Sequence, residues 1–191
     1  MDHLPDTATT GHELPPGLEI RPETAADHLR VSAVVFAAFG SEQVPSLVEA
    51  IRASPQYLPD LSLVAVIGAR VVGHVMISYA SIEWDGSSSP VALLSPLAVV
   101  PGLHGHGVGS ALVRRVTALA DRAGEPVVVL EGNPVFYGRL GFEYSVPYGI
   151  RLPLPSWAPP EAAQVLRLRG YTSSIRGEVV YPPAFTEVTG E

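Results

Sequence analysis

The densest concentration of residues suited to chemistry is the stretch Leu97-Ala98-Val99-Val100-Pro101-Gly102-Leu103-His104-Gly105-His106-Gly107-Val108-Gly109-Ser110. An apolar run ends at Pro101, glycines alternate at 105, 107 and 109, and an amphipathic segment follows. A glycine-rich turn between a strand and a helix start exposes unpaired backbone N–H groups where the helix dipole is positive. The loop is therefore suited to an anion such as a pyrophosphate. It is not a Walker A loop, because no Lys follows Gly107 at the required place, and Ser110 breaks the G-x-G-x-x-G spacing. Glycines in a tight strand-to-helix connection that binds nothing are the alternative reading. His104 and His106 have no Asp or Glu beside them, so no metal is expected.

These residues need elements to hold them. Leu18–Pro22 alternates as a short strand, and Thr24 offers an N-cap to a helix with Leu29, Ala33, Phe36 and Ala37 at helical spacing. A second helix runs through Leu47, Val48 and Ile51. Leu61–Ile67 and Val71–Ile82 read as a hairpin, and Val91–Val99 as a third antiparallel strand after the turn cluster Asp85–Pro90. From Val108, the residues Leu112, Val116, Leu119, Ala120 and Ala123 share one helix face, ended by Gly124. Val127–Leu130 is a strand buried on both faces, a short helix spans Pro134–Leu140, and Gly141–Tyr144 is extended. The proline-rich remainder, 147–191, carries a helix over Pro160–Leu168 and a closing strand, Glu178–Tyr181. Residues 1–17 have the composition of a solvated tail, with a single domain over 18–191.

Composition bounds the partners. With 47% apolar and 16% charged residues over 191 positions, the chain can bury a sizeable core and is not disordered throughout. Twelve basic against nineteen acidic residues give a net charge of −7, which repels phosphate backbones and anionic lipid, so neither nucleic acid nor membrane is an expected partner. The absence of cysteine removes thiolate nucleophiles, disulfides and cysteine-ligated zinc. Met1–Pro16 has no basic and apolar signal segment, and Arg70 and His74 interrupt the apolar stretch Leu61–Ile82, so the expected compartment is the cytoplasm.

The loop and its flanks resemble the GNAT superfamily of N-acetyltransferases, whose acyl-CoA loop reads Q/R-x-x-G-x-G/A after a strand ending L-x-V-x-P. Here these are His104-Gly105-His106-Gly107-Val108-Gly109 and Leu97-Ala98-Val99-Val100-Pro101. His104 departs from the usual Gln or Arg, which changes one side-chain contact but leaves the amide cradle. A second segment, Asn133-Pro134-Val135-Phe136-Tyr137-Gly138-Arg139-Leu140-Gly141-Phe142, looks like the family's N-x-x-x-Y-x-x-x-G-F. Core motifs thus span 91–145, and the tail resembles that of small bacterial predicted acetyltransferases.

The resemblance implies an α+β GNAT fold: a mixed, mostly antiparallel twisted sheet flanked by helices and splayed between its fourth and fifth strands. It implies acetyl-CoA as co-substrate, with Leu97, Ala98 and Val99 on pantetheine, and His104, Gly105, His106, Gly107, Val108, Gly109 and Ser110 on the pyrophosphate. Asn133 would contact the CoA arm, or simply cap a helix. Tyr137 would protonate the departing thiolate, a phenol of pKa about 10 suiting that role; packing beside Phe136 is its structural alternative. The implied reaction is direct acetyl transfer to a primary amine, on a small molecule or a protein. The amine must shed a proton, and Glu131 is the chosen base, with Glu83, Asp85 and His74 also considered. Arg114, Arg115 and Arg139 could meet CoA phosphates. The rival reading is a non-catalytic acyl-CoA-binding regulatory module, and the family's frequent dimers make a homodimer a partner to test for.

Overall fold

The computed structural model describes residues 14–185, so most of the tail expected over 1–17 lies outside the described residues. The elements in chain order are β1 (Leu18–Pro22), α1 (His28–Phe39), α2 (Gln43–Arg52), β2 (Tyr57–Ile67), β3 (Arg70–Trp84) and β4 (Ser87–Val99). They continue with α3 (Val108–Ala123), β5 (Val127–Glu131), α4 (Pro134–Gly138), β6 (Glu143–Tyr144), β7 (Ile150–Arg151), β8 (Ala163–Arg167) and β9 (Gly177–Val180). One sheet runs β1-β2-β3-β4-β5-β8-β6, and β9 pairs with the end of β3 that outruns β2. Pairing is antiparallel except β4 with β5 and β7 with β9.

Apolar alternation along β3 and β4 feeds both faces of the sheet. Met76, Leu93 and Val129 pack with α1 and α2 on one face, while Val75, Ile77, Val128 and Leu130 pack with Leu112 and Val116 of α3 on the other. Val127–Leu130 is buried on both faces, as its unbroken apolar run requires. The α3 helix sits so close to β3 that a Cβ at Gly73 would lie 2.9 Å from the Leu112 Cδ1. Gly124 ends α3 in the left-handed conformation, with φ +92°.

Three expectations are corrected. The stripe Leu29, Ala33, Phe36 and Ala37 of α1 faces outward, Leu29 being 87% exposed, and the helix buries Val31, Val34 and Val35 instead. Its sequence is apolar on nearly every side, so periodicity alone did not select a face, and the sheet did. The turn expected over Asp85–Pro90 is only Asp85-Gly86, both with positive φ as a type I′ hairpin needs; Ser87, Ser88 and Ser89 continue the ladder against Trp84, Glu83 and Ile82. The helix expected over Pro160–Leu168 is a single 3-10 turn, Pro160–Ala162, followed by β8. Strand β5 has an edge whose backbone groups are buried, and pairing Val127–Glu131 with Ala163–Arg167 satisfies them, overriding local helix preference.

A buried charge cluster pins α2 to the sheet. The Glu23 carboxylate accepts from Arg52 Nη2 at 2.6 Å, Arg52 Nε at 3.0 Å and the Tyr57 hydroxyl at 2.8 Å. His74 Nε2 on β3 lies 3.3 Å from Glu23 Oε2 and 3.2 Å from Ser62 Oγ. Burial by itself would raise the Glu23 pKa, but the hydrogen bonds from His74, Arg52 and Tyr57 outweigh it and hold the carboxyl well below the usual range. Burial pushes the His74 imidazole below its ordinary 6.5, against the pull of Glu23, so the ring is neutral in the folded protein. The side-chain ends of Glu23 and Arg52 are nearly sealed from water, so removing either partner strands the other charge.

Arg52→Ala is therefore expected to cost about 3–5 kcal/mol in urea unfolding. The unfolded chain binds more protons than the folded one once pH falls below the free histidine value of 6.5, so stability declines from there downward through His74. A further decline sets in below the free carboxylate value of 4.5, as the unfolded state protonates Glu23 first. His74→Gln should flatten the dependence of the urea midpoint between pH 7 and 5, and an unchanged slope in that variant would refute the assignment.

Candidate active site

The parting of two strands creates the site. β4 pairs with β5 only at Ala92–Val128 and Leu93–Val129, although β4 runs on to Val99. Against β3, Ile77 faces Leu94 but Val75 faces Leu97, so β4 carries an extra residue at Ser95-Pro96. Such a bulge bends its strand, and Pro96 has no N–H to leave stranded at the edge. The Val100 N–H donates to the Val72 carbonyl at 2.9 Å with Val99 opposite Gly73. By antiparallel alternation, the backbone groups of Val99 and Leu97 point away from β3, into the opening.

On the α3 side of the sheet the opening widens into a cavity of about 370 Å³, lined by Leu97, Val99, His104, Gly105 and Gly107, and by the first residues of α3, Val108, Gly109 and Ser110. Gly105 and Gly107 have φ near +79° and +78°, conformations that glycine adopts at little cost. The first bond of α3 runs from the Ala111 N–H to the Gly107 carbonyl at 2.9 Å, so the amides of Val108, Gly109 and Ser110 have no acceptor within the helix. Together with the dipole of a sixteen-residue helix, this is a donor set for an anion. Arg139 lines the same cavity, whereas Arg114 and Arg115 stand exposed on α3 outside it.

His104 has a structural use. Its Nε2 lies 2.8 Å from the Val99 carbonyl, which can only accept, so Nε2 carries the proton and ties the loop to the end of β4. His106 Nδ1 donates to the His104 carbonyl at 2.9 Å, and its side chain is exposed. Among the described residues no three His, Cys, Asp or Glu side chains gather as a metal site would require. Ala98 sits opposite His74 with its side chain in the core, and lines neither this cavity nor the one described next. Asn133 caps α4, its Oδ1 accepting from the Val135 N–H at 2.8 Å.

Tyr137 of α4 is buried, edge-on to Phe136 and Phe142 with ring centroids 4.8 and 5.5 Å away. Its ring lies so close over Gly132, just past β5, that no Cβ fits there. Burial pushes the phenol pKa up to about 12, so the hydroxyl keeps its proton across the neutral range.

On the opposite face lies a second cavity of about 530 Å³. Leu93, Leu94 and Ser95 of β4 and Glu131 of β5 form its floor, so it borders the same opening. Leu47 of α2 and the C-terminal residues Pro153, Pro155, Val179, Tyr181 and Phe185 form its walls. Glu131 also helps raise the pKa of the buried Tyr181 phenol. Glu83 and Asp85 are at the far end of the β3–β4 hairpin, and His74 is committed to Glu23; none of the three lines either cavity. The aromatic residues considered for an acceptor pocket, Phe36, Phe39, Tyr57, Tyr79 and Trp84, are absent from its lining, and Tyr181 and Phe185 take that place. Their signal in the sequence was faint, because only β9 pairing with β3 brings them there.

Residues 19–145 match the family described as "Acetyltransferase (GNAT) domain". The chain belongs to the GNAT acetyltransferase family. It is 32% identical over 120 residues to the uncharacterized N-acetyltransferase YjhQ of Escherichia coli K12, covering 59% of this chain and 66% of that protein. It is 30% identical over 151 residues to the uncharacterized N-acetyltransferase YhbS of the same organism, covering 78% and 86%. The crystal structure of E. coli YhbS in complex with CoA superposes with a TM-score of 0.80 at 27% identity, covering 96% of both chains. A GNAT acetyltransferase from Brucella melitensis in complex with acetyl-CoA gives 0.71 at 28% identity, over 88% of this chain and 97% of that one. The GNAT fold accounts for the parallel β4–β5 pair within a mostly antiparallel sheet. No described helix of this GNAT chain is long and apolar enough to cross a membrane.

A Cβ at Gly109 would lie 3.6–3.8 Å from Phe136, Val99 and Leu97, in ordinary contact with the cavity wall. Branched γ-carbons there would enter the cavity itself. Gly109→Val is expected to weaken CoA binding at least about tenfold, or ~1.4 kcal/mol, by calorimetric titration, with little change in unfolding midpoint.

Proposed function

We propose that this chain transfers acetyl directly from acetyl-CoA to a primary amine. The observation that carries the reading is the pair of cavities meeting at one opening in the sheet, an amide-rich one beside the α3 N-terminus and one with a carboxylate on the opposite face. The relatives bound to CoA and to acetyl-CoA support the donor. In this reading the loop amides and Arg139 hold the pyrophosphate, and the open edge of Leu97 and Val99 extends the sheet by pairing with the pantetheine arm. Both uses turn stranded backbone groups into partners for the ligand.

The neutral amine nitrogen attacks the thioester carbonyl carbon, the C–S bond breaks, and sulfur departs with the electron pair. Glu131 takes the proton released by nitrogen and passes it to solvent. The Tyr137 hydroxyl donates to the sulfur, and solvent restores its proton. A thiol of pKa about 8.5 holds its proton less tightly than a phenol near 12, so Tyr137 acts mainly as a hydrogen-bond donor that stabilises charge developing on sulfur. An acetyl-CoA-dependent activity fits the cytoplasm.

Tyr137→Phe is expected to lower turnover at least about tenfold while leaving CoA affinity unchanged. Because the phenol titrates only near 12, kcat of the wild type should show no loss between pH 8 and 10 from this group. Titration with acetyl-CoA, CoA and ATP, repeated on Gly107→Trp, tests the donor: saturable binding of the CoA species alone, lost in the variant, is the expected result. CoA binding without turnover of any amine would favour the regulatory module.

A further inference from the structure

We propose that the acceptor is a small monoamine carried on an apolar body, an arylalkylamine or short alkylamine, and not a polyamine, an aminoglycoside or a protein lysine. This rests on the acetyl-transfer reading and names the substrate class for the same site.

The chemistry of the acceptor-side cavity carries the inference. Among the described residues its lining has a single charged side chain, Glu131, and no cation. Its polar neighbours are Ser95 and the Tyr181 hydroxyl, and the remainder is leucine, valine, proline and Phe185. A volume of about 530 Å³ suits a compact molecule, since small-molecule sites run from roughly 300 to 1,000 Å³. One ammonium can pair with Glu131, at the end of β5 where the sheet opens. A second or third ammonium would meet only hydrocarbon, and an unpaired buried charge is strongly disfavoured.

The chain does not lack acids, with nineteen to place and a net charge of −7. They are engaged elsewhere: Glu178, adjacent in sequence to the lining residue Val179, points out and pairs with Arg151 at 3.2 Å. Glu143 pairs with Arg167 at 2.8 Å, and Glu23 is sealed against Arg52. A peptide segment fits no better, because its amides would lie against the Pro153 and Pro155 wall and Phe185, which offer no side-chain hydrogen bonds. The apolar wall also lies outside the segment that matches the GNAT domain, residues 19–145: Pro153, Pro155, Val179, Val180, Tyr181 and Phe185 all follow it. The part shared with the family builds the donor side, and this chain's own C-terminal part shapes the acceptor side.

The experiment uses the full chain with acetyl-CoA and follows thiol release with 2-phenylethylamine, hexylamine, spermidine, kanamycin and a lysine-containing peptide, alongside calorimetric titration of acetyl-CoA. The expected result is kcat/KM at least tenfold higher for the two apolar monoamines than for any other acceptor. Val180→Asp, at a partly exposed lining position, should cut that ratio at least tenfold with acetyl-CoA affinity unchanged. Pro153→Asp, on the opposing wall, should act in the same direction should Val180→Asp fail to fold. Preference for spermidine, kanamycin or the peptide, or an unchanged ratio in the folded variants, overturns the acceptor class and leaves acetyl transfer standing. Binding of acetyl-CoA without turnover of any amine overturns the transfer reading, and the acceptor class with it.

Discussion

Everything functional in this protein depends on one unmet backbone pairing. Two adjacent strands, β4 and β5, share a ladder for two residue pairs and then part, leaving the edge groups of Leu97 and Val99 directed into a gap. A sheet does not tolerate such an edge in its interior without compensation, because each stranded N–H or C=O costs free energy. Part of the compensation is internal: His104 donates to the Val99 carbonyl. The remainder falls to whatever enters the gap, which is why an extended amide-bearing chain is its natural occupant.

The gap can stay open only if both of its flanks are rigid. β5 is held by buried valines on both faces and by β8 along its far edge. β4 is held by its long ladder with β3, and the bulge at Ser95-Pro96 steers its end away. Beneath β3, the α3 helix approaches to the limit that Gly73 allows, which places its N-terminal amides beside the strand end. On the opposite face, the Glu23–Arg52 pair fastens α2, and with it Leu47, one wall of the larger cavity. A polar cluster remote from the reacting atoms thus bears on the shape of the acceptor side, and its tie to the sheet through His74 makes that shape responsive to acid.

The two cavities differ in what sets them. The donor side is made mainly of backbone, so its chemistry tolerates a His in place of the family's usual Gln or Arg. The acceptor side is made of side chains from α2, the strand ends and the C-terminal region, so its chemistry is open to change without disturbing the sheet. One carboxylate in an apolar chamber is a narrow specification.

The sequence by itself determined the donor half. The loop glycines, the amphipathic α3 with its Gly124 stop, the doubly buried β5 and the Tyr137 segment are all local patterns, and local patterns survive reading along the chain. Only the tertiary structure decided the rest. Which face of α1 is buried depended on the sheet, since Leu29 and Phe36 are as apolar as Val31 and Val35. Residues 163–167 became a strand because β5 had an edge to fill, against their own composition. The pairing of Glu23 with Arg52 and His74 spans separations that no spacing rule relates, and so does the meeting of Leu47, Glu131, Val179 and Phe185 around one chamber. Backbone chemistry is written in short motifs, whereas a side-chain chamber is assembled from segments that only long-range pairing brings together, and the acceptor side is of the second kind.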